Sequence, residues 1–180
     1  MFFINPFIYA AGGDFESIAT VTVGSGGAAD VTFSSIAGTF QHLQIRYVSR
    51  CAADANGIQI QFNGSTASNY ATHRLSGDGS SATAAASTSA SSSTIGIQAP
   101  SSATASVFGA GVIDILDYAS TSKATTLRAI TGWDSNGSGQ AHLRSGLWTL
   151  TDAVTSIKLF NDVGNLAQHS TFALYGVKAP

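Results

Sequence analysis

Short runs of alternating apolar and polar residues recur along this chain, separated by glycine, asparagine and aspartate. Three of these runs follow one another in the last quarter of the sequence, at residues 141–150, 154–160 and 171–177. A period of two places alternate side chains on opposite faces of an extended strand. The separators between the runs contain Asn, Asp and Gly, which favour turns. We therefore predict that the last quarter is an antiparallel meander.

The same pattern predicts strands through the rest of the chain. The further runs lie at residues 17–23, 29–34, 43–48, 58–62, 70–75, 107–118 and 125–133. A glycine-rich turn at residues 24–27 predicts a hairpin between the first two of them, and Asn63-Gly64 is a second strong turn signal. Roughly ten strands, with turn signals about every 8–15 residues, indicate an all-β fold. We expect an antiparallel β-sandwich that resembles a jelly roll.

The first eleven residues are apolar and lack the basic region of a signal peptide. They are also shorter than the ~20 residues of a membrane-spanning helix. We divide the 180-residue chain into an N-terminal arm, residues 1–15, and a single sandwich domain, residues 16–180. Because exposed aromatic side chains reduce solubility, we expect the arm to dock on a partner. The residues expected to make this contact are Phe2, Phe3, Phe7 and Tyr9.

A long segment at residues 77–106 consists almost entirely of Ser, Ala, Thr and Gly. So few bulky side chains cannot form a core of their own, which predicts a solvated loop or an arm that lies along a neighbouring subunit. A short edge strand is possible at residues 94–98. We expect Ile95 and Ile97 to be the apolar contacts of this arm, since alternate residues of an extended segment point the same way.

Charged residues make up 10% of the chain, compared with about 25% in an average globular domain. The eight Lys and Arg residues are scattered and the net charge is −2, which argues against a nucleic-acid partner. A weakly charged surface of small side chains suits either close contact between subunits or a neutral soluble surface. The sequence leaves both alternatives open.

Residues with catalytic or metal-binding chemistry are dispersed. The candidates are four histidines, two aspartates, an aspartate-containing loop and one cysteine: His42, His73, His142, His169, Asp114, Asp117, residues 134–139 and Cys51. The two aspartates are three apart, which puts them on opposite faces of a strand. The loop lacks the acidic residue that closes a calcium site, so a turn is expected there. Cys51 is expected to be a small buried hydrophobe. We therefore assign no catalytic, metal or cofactor residue.

Three stretches of the sequence show a family resemblance: "SIATVTVGSGGAADVTFSSIAGTFQHLQIRYVSR", "IQIQFNGSTASNYATHRLSGDGS" and "LRSGLWTLTDAVTSIKLF…STFALYGVKAP". The most specific pieces are the Asn63-Gly64 turn, the Gly77-Asp78-Gly79 turn and the C-terminal STFALYGVKA. From Glu16 to Pro180 the chain resembles small virion structural proteins of tailed phages, which are common in aquatic phages and are described as capsid decoration or tail fibre proteins.

This resemblance implies a non-enzymatic protein on the exterior of a virion, made in the host cytoplasm. Capsid decoration, with the major capsid protein as partner, is the first expectation. A tail fibre or tail-tip component, with tail proteins as partners, is the alternative. A carbohydrate-binding, lectin-like module comes third and a hydrolase last. We also expect a homo-oligomer, for example a trimer, and neither nucleic acid nor a membrane as partner.

Overall fold

The computed structural model describes residues 14–178, and this part of the chain forms twelve strands. In chain order they are β1 (Phe15–Thr22), β2 (Asp30–Phe33), β3 (His42–Ser49), β4 (Gly57–Phe62), β5 (Tyr70–Gly77), β6 (Ala82–Ala90), β7 (Ser93–Ile97), β8 (Gly109–Leu116), β9 (Thr125–Asp134), β10 (Gly139–Trp148), β11 (Ile157–Asn161) and β12 (Thr171–Val177). Within residues 14–178 no helix is long and apolar enough to cross a membrane.

The strands form two antiparallel sheets that share one hydrophobic core. The larger sheet has eight strands in the order β1-β12-β3-β8-β9-β10-β5-β6, and the smaller has four in the order β2-β11-β4-β7. The all-β sandwich predicted from the alternation is confirmed. There are twelve strands instead of about ten, because the Ser- and Ala-rich segment supplies strands that the alternation does not reveal.

The core lies between the sheets and is built from the inward residue of each alternating pair. In β9, for example, Leu127 and Ala129 are buried while Arg128 and Ile130 are exposed. Fully burying one such aliphatic or aromatic side chain stabilises the fold by ~1.5–3 kcal/mol. Among the largest buried side chains, Trp148 packs against Phe62 of the smaller sheet with ring centroids 5.5 Å apart.

Tyr47 joins the two sheets through the edge strand β7 of the smaller one. Its hydroxyl donates a hydrogen bond of 2.7 Å to the carbonyl of Ile97, across from β3 to β7. Its ring lies over Gly111, where an added Cβ would come within 2.6 Å of the ring, and Gly96 is equally close to the hydroxyl. The two glycines therefore make the room that this bridging tyrosine needs. Burial raises the pKa of Tyr47 well above its usual value, so the hydroxyl stays protonated as a donor.

Two predicted connections are wrong, although the strands themselves exist. Strand β1 pairs with β12 and β2 pairs with β11, so residues 17–34 are not a hairpin. Strands β10, β11 and β12 do not form a meander either, since β11 belongs to the smaller sheet. The physical reason is that a turn such as 24–27 fixes only where the chain reverses. It does not determine whether the next strand joins the same sheet or crosses to the facing one.

The prediction for residues 77–106 also needs correction. The segment contains β6 and β7, and the edge strand proposed at 94–98 corresponds to β7 at the edge of the smaller sheet. Ile95 and Ile97 are 0% and 1% exposed, so they are buried within their own chain and are not contacts for a neighbour. Strand β6, in contrast, is exposed along nearly its whole length, on both faces. It pairs with β5 and forms the free edge of the larger sheet.

Candidate functional site

The aromatic residues of the N-terminal arm, Phe2, Phe3, Phe7 and Tyr9, lie outside the described residues. Their proposed contact with a partner therefore stays a prediction. The candidate site described below is built from other residues, on the face of the larger sheet that points away from the core.

The two aspartates considered as a carboxylate pair are each engaged elsewhere. The Asp114 carboxylate accepts a 2.9 Å hydrogen bond from Arg128 on the neighbouring strand. Asp117 follows the end of β8 with a left-handed backbone (φ 49°) and pairs with Lys123. Hydrogen bonds from Lys123 and Gln41 lower the pKa of Asp117. Neither carboxylate is positioned as the partner of the other in an acid–base pair.

The aspartate-containing loop at residues 134–139 is the turn between β9 and β10. The Asp134 carboxylate accepts a 2.7 Å hydrogen bond from the backbone of Asn136, as in an Asx-turn. Cys51 is buried, as predicted, and burial raises the pKa of its thiol. In the described part of the chain, no three His, Cys, Asp or Glu side chains come together as metal ligands.

An exposed apolar row crosses the outward face of the larger sheet. Val112, Ile130, Leu143 and Leu75 stand directly opposite one another on β8, β9, β10 and β5. Ile130 is 72% exposed and Leu143 and Leu75 are 53% and 55% exposed. The row continues to Ala84 at the free edge. We call Val112, Ile130, Leu143 and Leu75 the apolar row.

A second row, of small residues, runs beside the apolar row. It is made by residues in register on β8, β9, β10, β5 and β6: Ala110, Gly132, Ala141, Gly77 and Ala82. A groove of about 970 Å³ over β8, β9 and β10 is lined by part of each row: Val112, Ile130 and Leu143 of the first, and Ala110 and Gly132 of the second. Small side chains allow another backbone to come close, while the larger ones offer apolar area to bury. Contiguous exposed apolar surface of this kind marks interaction sites on soluble proteins.

A hydrogen-bonded polar network borders the other side of the apolar row. Arg46 donates a hydrogen bond of 2.8 Å to the side chain of Gln44. Gln44 in turn donates one of 2.8 Å to the Asp114 carboxylate, and this carboxylate also accepts a hydrogen bond from Arg128. The guanidinium of Arg46 also lies over the rings of Phe15 and Tyr175, 5.3 and 5.2 Å from their centroids. Asp114 and Arg128 compensate each other's charge, while Arg46 is held by a neutral amide and two aromatic rings. Covering the Asp114–Arg128 pair costs less than covering isolated charges would.

This face was missed at the level of the sequence, although a signal for it exists. In Val112-Ile113 and Leu147-Trp148, two apolar residues stand next to each other within a strand. Adjacent apolar residues place one on each face of the sheet, so one of them points outward.

The chain was compared with protein-family models, with curated protein sequences and with solved structures, and none of them matches it.

Proposed function

We propose that this chain is a non-enzymatic structural subunit of a phage virion that self-associates through the outer face of its larger sheet. The main support for the proposal is the apolar row, in which four apolar side chains stand in register. Ile130, the most exposed of them, lies near the middle of the row. Interfaces typically combine an apolar centre with a polar rim, and the network from Arg46 to Arg128 supplies such a rim on one side.

A second copy of the chain is the occupant that the charges of this face favour. Asp114, Arg128 and Arg46 lie on one network, so the face carries both signs of charge at this point. Two such faces related by a two-fold axis can set an arginine of one copy against Asp114 of the other. Each partner would bury the same apolar row, and each buried side chain of this size contributes ~1.5–3 kcal/mol to association before entropic costs.

The virion location rests on the resemblance to phage structural proteins and on the low charge of the chain. Attachment to the capsid exterior as a decoration protein is our first choice, and the resulting oligomer would bridge neighbouring capsid subunits. A tail location remains the alternative within the same proposal. Locating the chain in a reconstruction of the virus particle decides between them, and its absence from the particle would contradict both.

Self-association is tested by measuring the molar mass in solution as a function of protein concentration. The wild-type chain is expected to form oligomers, and Ile130→Asp is expected to shift it to monomers because it places a charge at the centre of the apolar row. Ile130 is exposed, so the substitution leaves the fold intact. Val163→Asp is the matched control, since Val163 is 58% exposed but follows β11, outside the outer face. A monomeric wild type, or equal masses for wild type and Ile130→Asp, would contradict the proposal.

A further inference from the structure

Two arginines face each other on neighbouring strands of the larger sheet, on its inward side. Arg144 on β10 stands directly opposite Arg74 on β5. Like charges in directly opposite positions destabilise a sheet. Arg144 is only 5% exposed, so water screens this repulsion poorly. In the part of the chain that the structure describes, neither arginine forms an ion pair with a carboxylate.

The surroundings of Arg144 fix its position without neutralising its charge. Its guanidinium donates 2.8 Å to the carbonyl of Thr94 on β7 and lies 2.9 Å from Nδ1 of His142. Both of these acceptors are uncharged. The Nε of Arg144 is buried without a hydrogen-bond partner among the described residues. A buried cation that is held in place and left without a counter-charge is costly, which indicates that an anion completes the site.

A cleft of about 310 Å³ between the two sheets gives access to this pair. Arg74 and Arg144 line it together with the polar side chains of Asn56, Thr72, Ser87 and Thr94. Asp162 also lines the cleft but pairs with neither arginine. The volume of the cleft is at the lower end of the range for small-molecule pockets. Hydroxyl and amide groups around two guanidinium groups suit a ligand that has both hydroxyl groups and an oxyanion.

We propose that the cleft between Arg74 and Arg144 binds a small acidic saccharide unit, whose carboxylate or phosphate group pairs with the two arginines. The planar guanidinium groups match both kinds of oxyanion. The hydroxyl groups of the sugar would be bound by the side chains of Thr72, Ser87 and Asn56, since the Thr94 hydroxyl already exchanges hydrogen bonds with Gln59. This site goes beyond the self-association proposed above, because it lies on the opposite side of the larger sheet from the apolar row.

The test is calorimetric titration of the full chain with three matched sugars at equal ionic strength. Glucuronate carries a carboxylate, glucose 6-phosphate carries a phosphate and glucose is neutral. We expect one or both acidic sugars to bind and glucose not to bind, and the stronger of the two acids identifies the preferred oxyanion. If neither acidic sugar binds at millimolar concentration, or if glucose binds as tightly as they do, the proposal is wrong.

Substitution of single arginines then tests whether the sugar binds in the cleft. Arg74→Gln is expected to weaken binding at least about 10-fold, because it removes one of the two charges that attract the oxyanion. Arg74 is exposed, so this variant should fold even if Arg144→Gln does not. Arg128→Gln is the matched control, with the same change of charge on the outer face. Unchanged affinity in Arg74→Gln would overturn the assignment.

The two proposals can fail separately. Ile130→Asp should retain the affinity for the acidic sugar, and Arg74→Gln should retain the oligomeric mass of the wild type. Loss of sugar binding in Ile130→Asp would mean that the ligand binds at the apolar row and not in the cleft.

Discussion

The buried polar residue with the largest expected influence on the pH dependence of stability is His142. Its Nδ1 accepts a hydrogen bond from the guanidinium of Arg144, so the neutral ring carries its proton on Nε2. Burial, assisted by the charges of Arg144 and Arg74, lowers the pKa of His142 to about 4. The sequence shows only an isolated histidine. The register of β10 against β5, which brings Arg74 close, is not visible in it.

This depressed pKa predicts a loss of stability in weak acid. An unfolded histidine takes up a proton near pH ~6.5, whereas folded His142 does so only near pH 4. Between these values the unfolded state binds more protons, so the free energy of unfolding falls as the pH falls through this window. We expect a contribution on the order of 2 kcal/mol, allowing for partial solvent screening. Urea unfolding from about pH 7 to about pH 4 measures it.

The control for this experiment is His73→Gln on the exposed face of β5, which should keep the wild-type pH profile. His142→Gln should lose the component between pH ~6.5 and 4. Parallel profiles for wild type and His142→Gln would show that His142 is not its source.

Arg50 organises the connection between β7 and β8. Its two terminal nitrogens donate four hydrogen bonds of 2.8–3.0 Å to the backbone carbonyls of Ser101, Ala103, Thr104 and Val107. A planar guanidinium can reach four carbonyls at once because its donors lie in a fixed fork. This one side chain therefore gives a defined shape to a stretch of Ser, Ala and Thr that has few apolar contacts.

Replacing Arg50 by lysine is expected to loosen this connection. The ammonium group is a point charge and cannot span four carbonyls, so we expect a loss of about 2–3 kcal/mol in the free energy of unfolding. Amide hydrogen exchange should become faster at residues 101–107. Arg128→Lys, which alters a surface ion pair, should change stability by less than about 1 kcal/mol. Unchanged exchange at residues 101–107 in Arg50→Lys would contradict the role assigned to Arg50.

Individual strands could be predicted from the sequence because one face of each is buried, as in β3 and β9. Strand β6 could not, because both of its faces are exposed and its Ala, Ser and Thr residues do not alternate in polarity. The pairing of β1 with β12 could not be predicted either, since more than 140 residues separate Thr22 from Thr171. The arginine cleft depends on such pairing, and so it too is invisible in the sequence.

At the scale of the whole molecule, the first of the twelve described strands begins at Phe15. We predict that a chain starting at Gly12 folds normally but is no longer incorporated into virus particles. The aromatic side chains Phe2, Phe3, Phe7 and Tyr9 would each contribute ~1.5–3 kcal/mol to a buried contact. Circular dichroism checks the fold and co-sedimentation with particles checks incorporation. Incorporation equal to that of the full chain would refute the anchoring role of the arm.

The exposed strand β6 at the free edge of the larger sheet has a consequence for evolution. Because β6 lies at the free edge with both faces exposed, substitutions along it touch little of the core and should change stability by less than about 0.5 kcal/mol. Selection on β6 then acts on whatever meets it from outside the chain. Apart from Ser87 in the arginine cleft and Ala90 against the core, related sequences are therefore free to diverge along Ala82–Ala90 and to acquire new partners there, while the sandwich that supports this strand stays the same.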